Sequence, residues 1–137
     1  MKINIKNTLI LCMAVSITFL FSCKKEDEGE ELSLDFKKSE GYTYSNQIIM
    51  SDTSVTIGIV ASTTKKKDPI IRFNISESIN DSASFTVVSK NLDASSYDYD
   101  YTFDFQDIVS GNTHNYIFTI TNKDGKIKQK SLTLTAN

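Results

Sequence analysis

From Leu32 onward the chain reads as an all-β domain, a two-sheet sandwich of seven to eight short antiparallel strands. Apolar residues recur there at every second position, the period of half-buried strands. Turn-forming clusters interrupt them at intervals of about ten residues, as in sandwiches. No helix-length periodic segment and no glycine fingerprint competes, so a βαβ architecture is not expected.

Leu32, Leu34 and Phe36 alternate first, and residues 47–50 form a short apolar patch. Val55, Ile57 and Ile59 mark a strand across residues 54–61. A polar loop then leads into Pro69, which lacks a ladder N–H and so begins a strand or sits at its edge. After it, Ile71, Phe73 and Ile75 are expected to face one way and Arg72 and Asn74 the other. Asn80-Asp81-Ser82 breaks that strand, Phe85 and Val87 mark the next, and residues 91–96 read as another loop. Tyr97, Tyr99, Tyr101, Phe103 and Phe105 alternate with Asp98, Asp100, Thr102 and Asp104, which predicts the longest strand. Beyond the turn Ser110-Gly111-Asn112, the Asp124-Gly125 pair between two alternating runs predicts a hairpin joining 115–121 to 126–135.

The N-terminal segment has a different character. Lys2 and Lys6 precede one apolar block, residues 8–21, too short to span a bilayer as a helix and followed by dense charge. The string Leu20-Phe21-Ser22-Cys23 at its end resembles a bacterial lipobox. That resemblance implies a lipoprotein signal peptide over 1–22, cleavage before Cys23, and acylation of Cys23 as a membrane anchor. Several acyl chains, at ~0.8 kcal/mol per buried methylene, would hold a domain on the membrane permanently. The charged stretch that follows cannot pack, so 23–31 is expected to be the lipidated cysteine and a flexible tether, and 32–137 the folded domain. Within it, Lys25-Glu26-Asp27 is similar to the lysine-plus-acids export signal of Bacteroidota lipoproteins, which implies an outer-membrane anchor facing the cell exterior.

Composition narrows the chemistry. Without the leader, thirteen basic residues face seventeen acids, a formal charge of −4 with no cationic face for phosphate backbones, which argues against a nucleic-acid partner. One His and one Pro, no Trp and no cysteine pair in the mature chain leave neither a disulfide framework nor a Cys/His metal cage, and no cofactor or metal is expected.

The closing hairpin, His114 to Lys126 continuing through Ser131-Leu132-Thr133-Leu134-Thr135, resembles the last two strands of polycystic-kidney-disease (PKD) repeats and related immunoglobulin-like domains of bacterial surface proteins. Phe103-Asp104-Phe105-Gln106-Asp107 is similar to the aromatic-Asp-Phe-Gly-Asp string of those repeats, with Gln106 where glycine would stand and no Trp present. The resemblance implies an immunoglobulin-like antiparallel sandwich. With the leader, the chain is similar to small immunoglobulin-like surface lipoproteins of gut Bacteroidota.

Three constellations invite a role. Asp98, Asp100 and Asp104, with Asp93 and Asp107 nearby, offer the carboxylates that calcium prefers, but outward acids also keep an aromatic strand soluble, and side chains two apart splay. Tyr97 and Tyr99 are a candidate ligand-binding rim: nine positions at ~3.4 Å outrun a usual strand, so one end is expected to overhang the core, with Phe103 and Phe105 at the buried end. Asp81-Ser82-Ala83 matches a short O-glycosylation pattern of the same bacteria, which marks Ser82. His114 has no nucleophile motif around it, so no enzyme is expected. The reading is a non-enzymatic, lipid-anchored surface module that binds a glycan or an envelope protein. The alternative is a structural or accessory subunit of a fimbrial or envelope complex, which would require an edge that accepts a donated strand.

Overall fold

The computed structural model describes residues 31–137, and over them the chain forms eight strands and no helix. The expected leader over 1–22, Cys23 and the tether up to residue 30 lie outside the described residues. One sheet contains β1 (Leu32–Phe36), β3 (Thr53–Thr63) and β6 (Ser96–Phe105), with β3 in the middle. The other runs β2 (Gln47–Ile49), β8 (Ile127–Ala136), β7 (Thr113–Asn122), β4 (Ile70–Ile79) and β5 (Phe85–Ala94). All pairings are antiparallel except β2 with β8. From β1 in the short sheet the chain crosses to lay β2 beside β8, an immunoglobulin-like arrangement. Because β8 is flanked by β7 and β2, the second sheet has no gap at its closing strand.

The alternation read from sequence builds the core. Ile57 and Ile59 of β3 face Phe73 and Ile75 of β4, Phe118 and Ile120 of β7, and Leu132 and Leu134 of β8, all essentially without exposure. Burying each of these contributes about 1.5–3 kcal/mol. Asn80 and Asp81 take φ of 48° and 59°, and Ser82 N donates to the Ile79 carbonyl at 2.9 Å, a two-residue turn whose twist suits the β4–β5 hairpin. Gly125, at φ 80°, closes the β7–β8 turn in the left-handed region where a side chain would be strained.

Four expectations change. Ile71 does not join Phe73 and Ile75: a bulge between Ile70 and Arg72 shifts the phase by one, so Ile70 is buried and Ile71 is 37% exposed. A second irregularity in the β4–β5 pairing leaves Phe85 49% exposed, with Val87 and Val88 both partly buried. Residues 91–96 are not a loop. β5 pairs with β4 as far as Ala94 and the chain crosses sheets at Ser95, whose carbonyl accepts from Thr63 N at 2.9 Å. The longest strand is β3, with 11 residues, rather than β6, with 10.

Gly58 explains how the β1–β2 link is held. It sits in the outward face of β3, and the ring of Tyr42 and the stem of Lys37 lie directly on it. Lys37 N donates to the Gly58 carbonyl at 2.9 Å and Thr43 N to that of Thr56 at 2.8 Å, so the link is strapped across the sheet.

Candidate functional site

As the edge strand of the three-stranded sheet, β6 has β3 on one side only. Its inward aromatic row therefore covers β4 and β7 of the facing sheet while its other flank stays open. Tyr97 and Tyr99 stack with centroids 6.1 Å apart, and both lie against Phe73, at 5.3 and 5.2 Å. Lys90 Nζ sits 4.7 Å over the Tyr99 ring, a cation–π contact. Farther along, Tyr101 stacks on Phe103 at 4.8 Å, and Tyr116 of β7 meets Phe103 at 5.2 Å.

Tyr97 and Tyr99 therefore do not overhang the core, and Phe103 is not its buried end. β6 pairs with β3 from Ser96↔Ser62 to Phe105↔Thr53, so no tip projects. Tyr97, Tyr99, Tyr101 and Phe103 are all half-buried, and only Phe105, at 2%, is fully covered. Exposure runs along the side of the strand.

At the Phe105 end the row opens into a cleft of about 320 Å³. Tyr101, Phe103 and Tyr116 supply its rings, the buried His114 with the half-buried Glu77 and Asp107 its inner polar part, and the exposed Asp104 and Gln106 its rim. His114 Nδ1 lies 2.7 Å from Glu77 Oε1 and Nε2 lies 2.8 Å from Asp107 Oδ2. Carboxylates only accept, so the imidazolium, with two N–H groups, satisfies both. Burial pushes the imidazole pKa down, but hydrogen bonds and charge from Glu77 and Asp107 outweigh it and the net shift is upward. Asp107 is held down at about 2 by His114, by the Val109 N–H at 2.8 Å and by the Asn112 amide at 2.9 Å. Tyr116 donates to Glu77 Oε1 at 2.9 Å, and burial followed by the Glu77 charge pushes its phenol pKa up. With both ring nitrogens engaged, His114 has none left for a substrate proton. Phe105 packs on the imidazole edge at 4.9 Å.

The other β6 acids have separate roles. Lys37 Nζ donates to Asp98 and Asp100 at 2.5 and 2.6 Å, and Tyr42 donates to Asp100 at 3.0 Å. These bonds push the Lys37 pKa up and that of Asp100 down. Asp93 and Asp104 are exposed, and the β6 acids do not converge on a common point among the described residues. Ser82 is exposed in the β4–β5 turn. Sequence alone does not single out Glu77. Its only signal is a polar side chain in line with Phe73 and Ile75 on an otherwise apolar face.

Glu31, expected in the tether, is built into the domain at 9% exposure. Its Oε1 accepts from the fully buried Asn122 amide at 2.8 Å and its Oε2 pairs with Lys126 and Lys65. Lys126 is the principal cause of its lowered pKa.

No family model matches the chain, and no curated protein matches it. Among solved structures, Spo0M, a sporulation control protein from Bacillus subtilis, is similar over 80% of this chain and 50% of that one, with a TM-score of 0.46 and 10% identity. This chain thus spans half of that protein's length, and a likeness at this level carries no functional inference.

Proposed function

We propose that the protein is a non-enzymatic module, anchored through lipid on Cys23 at the outer face of the outer membrane, which binds a glycan in the cleft beside β6. The observation that carries this reading is the cleft itself, within the size range of small-ligand sites and combining the half-buried rings of Tyr101 and Phe103 with a few polar groups at its mouth. Aromatic faces suit the apolar side of a sugar ring, and Asp104 and Gln106 suit its hydroxyls. The saturated hydrogen bonding of His114 supports binding over catalysis.

The test uses the full chain on a printed array of mono- and oligosaccharides, followed by calorimetry with the best one. Asp104→Ala and Gln106→Ala should each weaken binding about tenfold, the scale of a lost polar contact, with melting unchanged. Unaltered binding by both variants refutes the site. For the anchor, Cys23→Ser should leave an uncleaved precursor without acyl label, and retained label refutes it. A second reading, docking to an envelope protein, is favoured by Ile108 at 82%, Met50 at 67% and Val109 at 56% exposure, all at the same end of the sandwich as the cleft. Loss of cross-linking in intact cells on Ile108→Asp, with glycan binding kept, separates the two.

A further inference from the structure

At the end of the sandwich opposite the cleft, three carboxylates from distant parts of the chain converge. Glu31 immediately precedes β1, Asp68 lies in the β3–β4 loop, and Asp124 lies in the β7–β8 turn. One oxygen from each lies within 4.8 Å of the other two. Crowding like charges is unfavourable unless something cationic holds them together. Lys126 and Lys65 do this for Glu31. They do not account for Asp68, which is only 6% exposed and whose Oδ2 is buried without a hydrogen-bond partner. A buried carboxylate oxygen left unpaired is costly, and native structures rarely tolerate one without an ion or water to meet it.

We propose that Glu31, Asp68 and Asp124 form a calcium site. Calcium takes oxygen ligands at about 2.3–2.6 Å, so oxygens on opposite sides of its shell stand up to about 5 Å apart, and the three carboxylates fit one ion. The site is assembled from three loops, with water to complete six to eight ligands. With Lys126 and Lys65 counted, the cluster carries one net negative charge, which sets the affinity in the weak range of extracellular modules, about 10⁻⁴–10⁻³ M. Lys126, whose side chain is 54% exposed, can swing aside when the ion enters. Bound calcium would fasten the first described residue of the chain to the β3–β4 and β7–β8 connections.

The experiment follows melting of the full chain, purified in detergent, by circular dichroism in EDTA and in up to 10 mM CaCl₂ or MgCl₂, with calorimetric titration of calcium. At 10 mM, the folding equilibrium constant of the wild type should rise about 10- to 100-fold. Asp68→Asn should abolish the rise, yet melt in EDTA at or above the wild-type temperature, because it removes an unpaired buried charge. Asp124→Asn, at an exposed position, should weaken calcium at least tenfold without altering melting in EDTA, and serves if the Asp68 variant does not fold. Lys126→Met should tighten calcium several-fold by removing a competing cation. A wild type that does not respond to 10 mM calcium overturns the site, as does an unchanged response in Asp68→Asn or Asp124→Asn. A magnesium midpoint equal to that of calcium overturns the choice of ion.

Discussion

Adding a single methyl group at Gly58 tests how the β1–β2 link is strapped to the sheet. A Cβ at this position would stand 2.5 Å from Tyr42 Cε1 and 2.6 Å from Lys37 Cδ, well inside contact distance. Neither side chain can yield freely, since Tyr42 is bonded to Asp100 at 3.0 Å and Lys37 grips Asp98 and Asp100. Overpacking of this kind costs about 1–3 kcal/mol. Loss of glycine's freedom in the unfolded chain offsets about 0.5–1 kcal/mol of that. Gly58→Ala should therefore lose about 0.5–2 kcal/mol, or about 2–9 °C of melting temperature for a domain of this size. Thermal and urea unfolding followed by circular dichroism would measure it. In a background carrying Tyr42→Ala and Lys37→Ala the obstacle is gone, and the same methyl should be neutral or stabilise by about 0.5 kcal/mol. An equal loss in both backgrounds would show that the cost arises in the strand and not in the strap.

Two further perturbations address the cleft and the aromatic row. The raised His114 pKa means that its contribution is complete below the unfolded value near 6.5 and is lost as pH rises through the higher folded value, while Asp107, held at about 2, contributes fully above 3.8 and fails only as pH falls toward 2. Melting temperature should thus be greatest between about pH 4 and 6.5 and decline above it, and His114→Asn should flatten that alkaline decline; an unchanged slope refutes the clamp. Because Tyr97 and Phe103 are both half-buried and ring-packed, each change to Ala should cost about 2–3 kcal/mol, short of the ~3–5 expected for the buried Phe105. Denaturant midpoints decide it, and a Tyr97 loss under about 1 kcal/mol would restore the overhanging rim.

The strands were legible wherever one face is core and the other solvent, because a period of two leaves an unambiguous trace at Leu32, Leu34, Val55, Ile57, Phe118 and Ile120. The trace fails where the backbone slips. The bulge at Ile71 exchanges faces between Ile70 and Ile71, and nothing in an Ile-Ile pair announces which one is inside. Residues 91–96 read as a loop because Asn91, Asp93, Ser95 and Ser96 are turn-forming types on an outer strand, and only Leu92 of the segment packs against the core. The row on β6 is visible in sequence, but its pattern reports which side chains share a face and not whether another strand lies alongside, so lateral exposure and an overhanging tip leave the same trace. The polar clusters were the least legible. The bond from Asn122 to Glu31 spans 91 residues and that from His114 to Glu77 spans 37, so each depends on strand order, which periodicity does not encode.

The register of β1 bears on how the domain carries load. Leu32 to Phe36 lie antiparallel against Thr63 to Ile59, and the chain enters at the end opposite the cleft. Under the anchor and the ligand cleft proposed above, a pull between the two runs along the strands. β1 is then sheared past β3, so the backbone hydrogen bonds of all five pairs are stressed together rather than opened one after another. The Glu31 pairs with Lys126 and Lys65 lie at the point where the tension arrives, so they resist the first displacement before the ladder itself is loaded.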